Sequence, residues 1–174
     1  MRDELEQFPL YKKAMEIFKL TRGLAEIVPD DNAFLQETTV KFMIEDSMII
    51  PAKIAGAHGV GLYDLKMENA AIIRKAAREL MVNAGSLRFQ KDIKDKEYIT
   101  LLCNEIEEFR LLFIEWVASF DINDYIIDRW GLFNPPGVTA YDKDPDDDIP
   151  FNAKDFFEDF DGFEDFEDFE DDDN

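Results

Sequence analysis

One histidine, His58, and one cysteine, Cys103, are all the chain offers of the two side chains most used for acid–base and nucleophilic work. A two-metal centre inside a helical bundle uses carboxylates and paired Glu-x-x-His motifs, because a histidine three residues on reaches the same ion from the same face. A single histidine excludes that arrangement. Zinc draws on several nitrogen or sulfur ligands, and His58 with Cys103 supplies two. Cys103 follows the apolar Leu102 and reads as a small buried hydrophobe. No second histidine is present to act as its base. GAHGVG, from Gly56, lacks the Lys-Ser or Lys-Thr ending of a phosphate loop and follows a helical pattern where that loop follows a strand. Glu105, Glu107 and Glu108 read as a solvated helix face. Asp144, Asp146, Asp148 and Asp155 fall at ligand positions of a calcium loop, but Ile149 stands where that loop requires glycine. The expectation is a chain without a catalytic constellation, a metal site or a cofactor.

Binding chemistry is better represented. In the stretch FFEDFDGFEDFEDFEDDDN, Phe157, Phe160, Phe163, Phe166 and Phe169 recur every third residue among Asp and Glu. Acidic groups keep such rings in water and speed encounter with a basic partner, while the rings supply short-range affinity. A spacing of three drifts around an α-helix, so the segment reads as disordered, extended or only locally helical. A second set is basic. Arg74, Lys75 and Arg78 lie on one predicted helix, and Arg88, Lys91 and Lys94 gather at its end. They read either as ordinary solvated charge or as phosphate contacts. Trp130, within DINDYIIDRWGLFNPPG, is a third candidate, since Trp is a favoured interface anchor.

Charge is distributed very unevenly. The formal net charge is -21, and residues 142–174 hold 17 Asp or Glu against Lys143 and Lys154, a net of -15 that leaves -6 for residues 1–141. A nearly balanced body therefore carries an anionic tail, and the molecule as a whole is repelled by nucleic acid and anionic membranes. One cysteine permits no internal disulfide, which fits a reducing compartment. The first residues, MRDELEQFPLYKK, have neither the basic start nor the apolar core of a signal peptide. No stretch approaches the roughly 18 consecutive apolar residues of a membrane span. These features predict a soluble cytoplasmic protein.

The elements that must position these residues are helical. Leu10, Ala14, Ile17, Thr21, Leu24 and Val28 step alternately by four and three, which predicts a helix over Pro9–Val28. A second, Asn32–Ala57, places Leu35, Phe42, Met43, Ile49, Ile50 and Ile54 on one stripe, with Pro51 bending it. A third, Leu62–Gln90, repeats at Leu65, Asn69, Ile72, Ala76, Leu80, Asn83 and Leu87; a fourth at Ile99, Leu102, Ile106, Phe109, Phe113, Trp116 and Phe120. With no alternating strand pattern, the fold class is all-α, an antiparallel up-and-down four-helix bundle. A short extra C-terminal helix is predicted after Asp121 or Asn123, its Ile126, Ile127, Trp130, Leu132 and Phe133 either closing one end of the bundle or forming a protein interface. Residues 1–133 are then the bundle with its closing helix, and residues 134–174 a Pro-containing linker and the disordered acidic-aromatic tail.

The segment SMIIPAKIAGAHGVGLYDLKMENAAIIRKAARELMVNAGSLRF resembles the 23S rRNA intervening-sequence family of bacterial four-helix-bundle proteins, in the stretch Ile50, Pro51, Ala52, Lys53, Ile54 and Ala55 above all. The opening run FPLYKKAMEIFKLTRGLAEIVP is similar to that family's first helix. Lys53 stands where many members have Asn, and Gly56 where many have Glu. The resemblance implies a four-helix bundle assembling as a ring, typically a homopentamer, with no established enzyme activity. Two functions follow as expectations. The first is a noncatalytic homo-oligomer, a pentamer by the resemblance, whose tail and Trp130 bind a basic protein partner. The alternative is a nucleic-acid-associated accessory protein whose tail covers the basic rim of Arg74, Lys75, Arg78, Arg88, Lys91 and Lys94.

Overall fold

Helix-period apolar residues need one another's cover, and their positions dictate which faces meet. The computed structural model describes residues 2–29, 32–145 and 147–148, with no strand among them. Its helices are α1 (Arg2–Gln7), α2 (Pro9–Ile27), α3 (Ala33–Leu35), α4 (Lys41–His58), α5 (Tyr63–Ser86) and α6 (Lys96–Ala118). A π turn, Gln36–Val40, joins α3 to α4, and a 3-10 turn, Leu87–Phe89, follows α5. The chain divides into Met1–Asp142 and Lys143–Asn174. Phe157, Phe160, Phe163, Phe166 and Phe169 lie outside the described residues.

The first predicted seam is the observed one. Leu10, Ala14, Ile17, Thr21, Leu24 and Val28 are all buried, and the Thr21 hydroxyl donates to the Ile17 carbonyl at 2.8 Å, so no polar atom is stranded in the core. Pro9 opens α2, where its missing N–H costs nothing. The short α1 was not foreseen from the sequence; Asp3 and Glu4 occupy its first turn, where the helix dipole favours acids, and Leu5 packs on the core. A methyl group at Gly23 would overlap the Tyr98 hydroxyl, so any larger residue there would require the Tyr98 ring to move aside.

On α4 the predicted stripe is corrected. Val40, Met43, Ser47, Ile50, Ile54 and Ala57 face the core, but Phe42 is exposed and Ile49 only half-buried. Leu35 is buried eight residues before Met43, a separation that overshoots two regular turns by about 80°. The π turn between them takes up an extra residue, with the Lys41 N–H reaching the Gln36 carbonyl, and so returns both side chains to one face. Helix α4 runs on through Pro51, which is itself buried.

The core face of α5 is also corrected, by about one residue. Ala70, Ile73, Ala77, Leu80, Ala84 and Leu87 are buried, with Ala76 beside them. Asn69 and Asn83, expected in the seam, stand half-buried at its margin, where the Asn69 amide donates to the Leu65 carbonyl at 2.8 Å. Burying two amides without partners would cost more than burying alanines, and that decides the rotation. On α6, Ile99, Leu102, Ile106 and Phe109 are buried as expected, with Phe113 and Trp116 packed partly against the core. Helix α2 packs on α4 and α6, and α5 packs on the same two.

The predicted helix after Phe120 does not form. Residues 121–142 are turns and extended backbone. The Asp121 carboxylate accepts from the Asn123 backbone N–H at 2.9 Å, a local turn that competes with helix formation, and Asp64 accepts from the Ile126 N–H at 3.1 Å. Of the apolar residues expected to close the bundle, only Ile127 is fully buried; Phe133 is half-buried, while Ile126, Trp130 and Leu132 are exposed.

Two polar contacts bear on stability. Lys13 of α2 donates to Glu105 at 2.6 Å and Glu108 at 2.8 Å, both on α6, and lies 3.2 Å from Glu16. Glu105 is thus half-buried in an ion pair, which corrects its assignment to a solvated face. The Glu105 bond, then that of Glu108, holds the Lys13 ammonium above its ordinary range, so its contribution persists from neutral pH to strongly alkaline pH. Lys13→Met should lower unfolding free energy by about 1–2 kcal/mol at pH 7, between the values for exposed and buried pairs, as read by urea denaturation. Asp46 of α4 is buried, and burial first, then Glu79 and Glu45, push its carboxyl up to about 6 against the opposing pull of Lys75. The folded state therefore holds this proton more tightly than the unfolded chain, so stability falls as pH rises from about 4 to about 6. Asp46→Asn should raise stability at pH 7.5 by about 1–2 kcal/mol and flatten the slope between pH 4 and 6 in denaturation series.

Candidate functional site

Trp130 is 91% exposed, on a loop held by the side chains of Asp128, Asn134 and Arg129. The Asp128 carboxylate accepts from the backbone N–H groups of Trp130 at 2.8 Å, Leu132 at 2.7 Å and Phe133 at 2.9 Å. Asn134 closes the loop from the other side. Its amide donates to the Asp128 carbonyl at 2.9 Å and its oxygen accepts the Asp128 N–H at 2.8 Å. Gly131 has φ +72°, a conformation in which a Cβ is strained. Arg129 anchors the loop to the following segment, donating to the Ala140 carbonyl at 2.9 Å and the Asp142 carbonyl at 2.8 Å. The bond from Phe133, then those from Trp130 and Leu132, hold the Asp128 carboxyl below its ordinary range.

Beside this loop lies a cleft of about 390 Å³, walled by Trp130, Leu132, Phe133 and Leu65 and edged by Asp64, Glu68 and Asp128. Aromatic walls with three carboxylates suit a cationic side chain, which gains from both the charges and the ring faces.

A second cleft, of about 340 Å³, opens between α5 and α6. Ala77, Met81, Ile106, Phe109, Phe113 and Ile114 form its floor and walls, and Arg74, Arg78, Arg110 and Glu107 its edges. Phe109 and Phe113 stack at 6.1 Å between ring centroids, continuing through Trp116 at 5.8 Å to Phe120 at 4.8 Å. Arg110 donates from Nε to Glu107 at 2.7 Å, whereas Arg74 and Arg78 have no ion pair among the described residues.

The basic residues singled out from the sequence are thus only partly brought together. Arg74 and Arg78 share the edge of the second cleft; Lys75 is turned away from it and pairs with Glu79 at 3.4 Å. Arg88, Lys91 and Lys94 are exposed but line neither cleft. Arg110, Phe113 and Ile114 complete the site and were not foreseen as site residues. The signal was available, since Arg110 precedes Phe113 and Ile114 by the three and four residues that place side chains on one helix face.

The lone nucleophile and base remain apart from these clefts. Cys103 is half-buried and unpaired; burial pushes its thiol up despite the opposing charge of Arg88. His58 is the last residue of α4, not part of the following turn, and its ring lies 5.6 Å from that of Phe8. Among the described residues no group of three His, Cys, Asp or Glu side chains could hold a metal ion, and no helix is long and apolar enough to cross a membrane. No family model, curated protein or solved structure matches this chain.

Asp128 should be the residue on which the presentation of Trp130 depends. In Asp128→Ala, hydrogen exchange at the amides of residues 130, 132 and 133 should quicken at least tenfold, while α6 amides stay unchanged.

Proposed function

We propose that the chain is a noncatalytic, self-assembling helical protein that holds a basic protein partner, with Trp130 as the anchor and the acidic-aromatic segment from Phe157 to Phe169 as a second contact. The observation that carries this reading is the 91% exposed Trp130, fixed by Asp128 beside the carboxylates of Asp64 and Glu68. A backbone already held in place leaves less chain to order on binding, and surrounding anionic groups favour a cationic partner. The net of -15 on residues 142–174 acts in the same direction.

In this reading α2, α4, α5 and α6 form an antiparallel up-and-down four-helix bundle similar to the 23S rRNA intervening-sequence family, assembling as a homopentamer. Packing of each long helix on two others, with short links at residues 59–62 and 90–95, supports the bundle. The alternative, a nucleic-acid accessory protein using Arg74, Lys75, Arg78, Arg88, Lys91 and Lys94, has their exposure in its favour. It is the weaker reading because Arg74 and Arg78 frame an apolar cleft, which suits a peptide side chain better than a phosphate.

Light scattering on the full chain should give a multiple of 20.2 kDa. A synthetic amphipathic peptide rich in Lys, Arg and Leu should bind the wild type, and Trp130→Ala should weaken it at least tenfold, or about 1.4 kcal/mol. Equal affinity for the two proteins would sink the proposal; tight salt-sensitive RNA binding that ignores Trp130→Ala would favour the alternative.

A further inference from the structure

The cleft between α5 and α6 is unused by the reading above, and its chemistry is the reverse of the Trp130 cleft. Its floor is apolar and aromatic, and two of its three edge arginines, Arg74 and Arg78, lack an ion pair among the described residues. A ligand that satisfies both features must carry rings and carboxylates in alternation. The chain itself contains such a segment, with Phe157, Phe160, Phe163, Phe166 and Phe169 separated by pairs that include an Asp or Glu in every case.

Dimensions agree as well. Arg74 to Met81 spans about 10 Å along α5 at 1.5 Å per residue. One Phe-x-x-Phe step covers about 9 Å in a backbone of three residues per turn, and that geometry sets successive rings on one edge. A cleft of about 340 Å³ is at the small end of ligand pockets, with room for one such step. The repeat carries four steps, more than one cleft takes, so one tail has rings to spare for the clefts of other copies.

We propose that the α5–α6 cleft is a receptor for acidic peptides with phenylalanine at every third position, and that its occupant is the segment 157–169 of a second copy of this chain. Arg74 and Arg78 pair with the carboxylates between the rings; Met81 and Phe113 receive the rings. This rests on the self-assembly in the preceding proposal and names the segment that links copies; a tail seated in this way is taken from the foreign partner, which then binds at Trp130 alone.

The test uses the full chain with Phe163→p-benzoylphenylalanine, mixed with a heavy-isotope full chain and irradiated. The expected product has the mass of two chains and joins position 163 to peptides containing residues 74–81 or 106–114. Arg74→Glu with Arg78→Glu in the receiving chain should cut its yield at least fivefold while helical circular dichroism stays unchanged. Glu164→Lys with Asp165→Lys in the tail, changes outside the helical body, should restore yield toward the reversed receptor. Adducts only within single chains, adducts elsewhere on the body, or a yield indifferent to both charge reversals would each overturn the proposal. Light scattering of the same samples separates the two claims: a single-chain mass defeats self-assembly, whereas a multiple without cleft adducts defeats only the tail-to-cleft contact.

Discussion

Close burial of the alanine and isoleucine face of α5 against α4 and α6 is the constraint from which most of the surface follows. Ala76, Ala77 and Ala84 are small enough to let α5 pack closely on α4, and with Ile73 and Leu80 they share one core with Ile50 and Ile54 of α4. Shape filling of this kind fixes a helix in rotation, because turning it by one residue would replace alanines with the amides of Asn69 and Asn83. Once the row Ile73, Ala77, Leu80 and Ala84 faces inward, the neighbouring row Arg74, Arg78 and Met81 falls at the margin beside α6. The basic edge of the cleft is therefore a by-product of where the alanines must go.

Polar groups refine this packing. Lys13 reaches across from α2 to Glu105 and Glu108 on α6, a contact between helices that apolar seams alone leave free to slide. Asp46 works in the opposite sense, since its buried carboxyl meets Glu79 as well as Lys75 at the α4–α5 contact. At the loop after α6 the logic is local. Three backbone N–H groups converge on the Asp128 carboxylate, and with them satisfied the chain can hold Trp130 in water without a helix to support it.

The two clefts are complementary to each other in charge and alike in their aromatic content. One is rimmed by Asp64, Glu68 and Asp128 around Trp130, the other by Arg74, Arg78 and Arg110 around Phe113. In the proposed assembly the acidic-aromatic tail would meet the basic cleft, leaving the acidic Trp130 surface for a foreign cation. Opposite charges on separate surfaces of one chain favour ordered association over general stickiness, because each surface repels its own kind.

The sequence by itself determined the helical class, the α2 seam and most of the α6 seam, since a three-and-four spacing of large apolar residues has one low-energy outcome. The face of α5, the phase of α4 and the loop around Trp130 were decided by tertiary structure. Alanine is too ambiguous a residue to mark a core face until a neighbour packs on it, so Asn69 and Asn83 looked as eligible as Ala70 and Ala84. A π turn at Gln36–Val40 leaves no mark in apolar spacing except a stripe that fails to line up, as Phe42 did. The predicted helix gave way to local turns, in which Asp121 takes the N–H of Asn123 and Asp128 takes those of Trp130, Leu132 and Phe133. Arg110 joined Arg74 and Arg78 only when α5 and α6 came together, for residues on different helices share a site through packing alone.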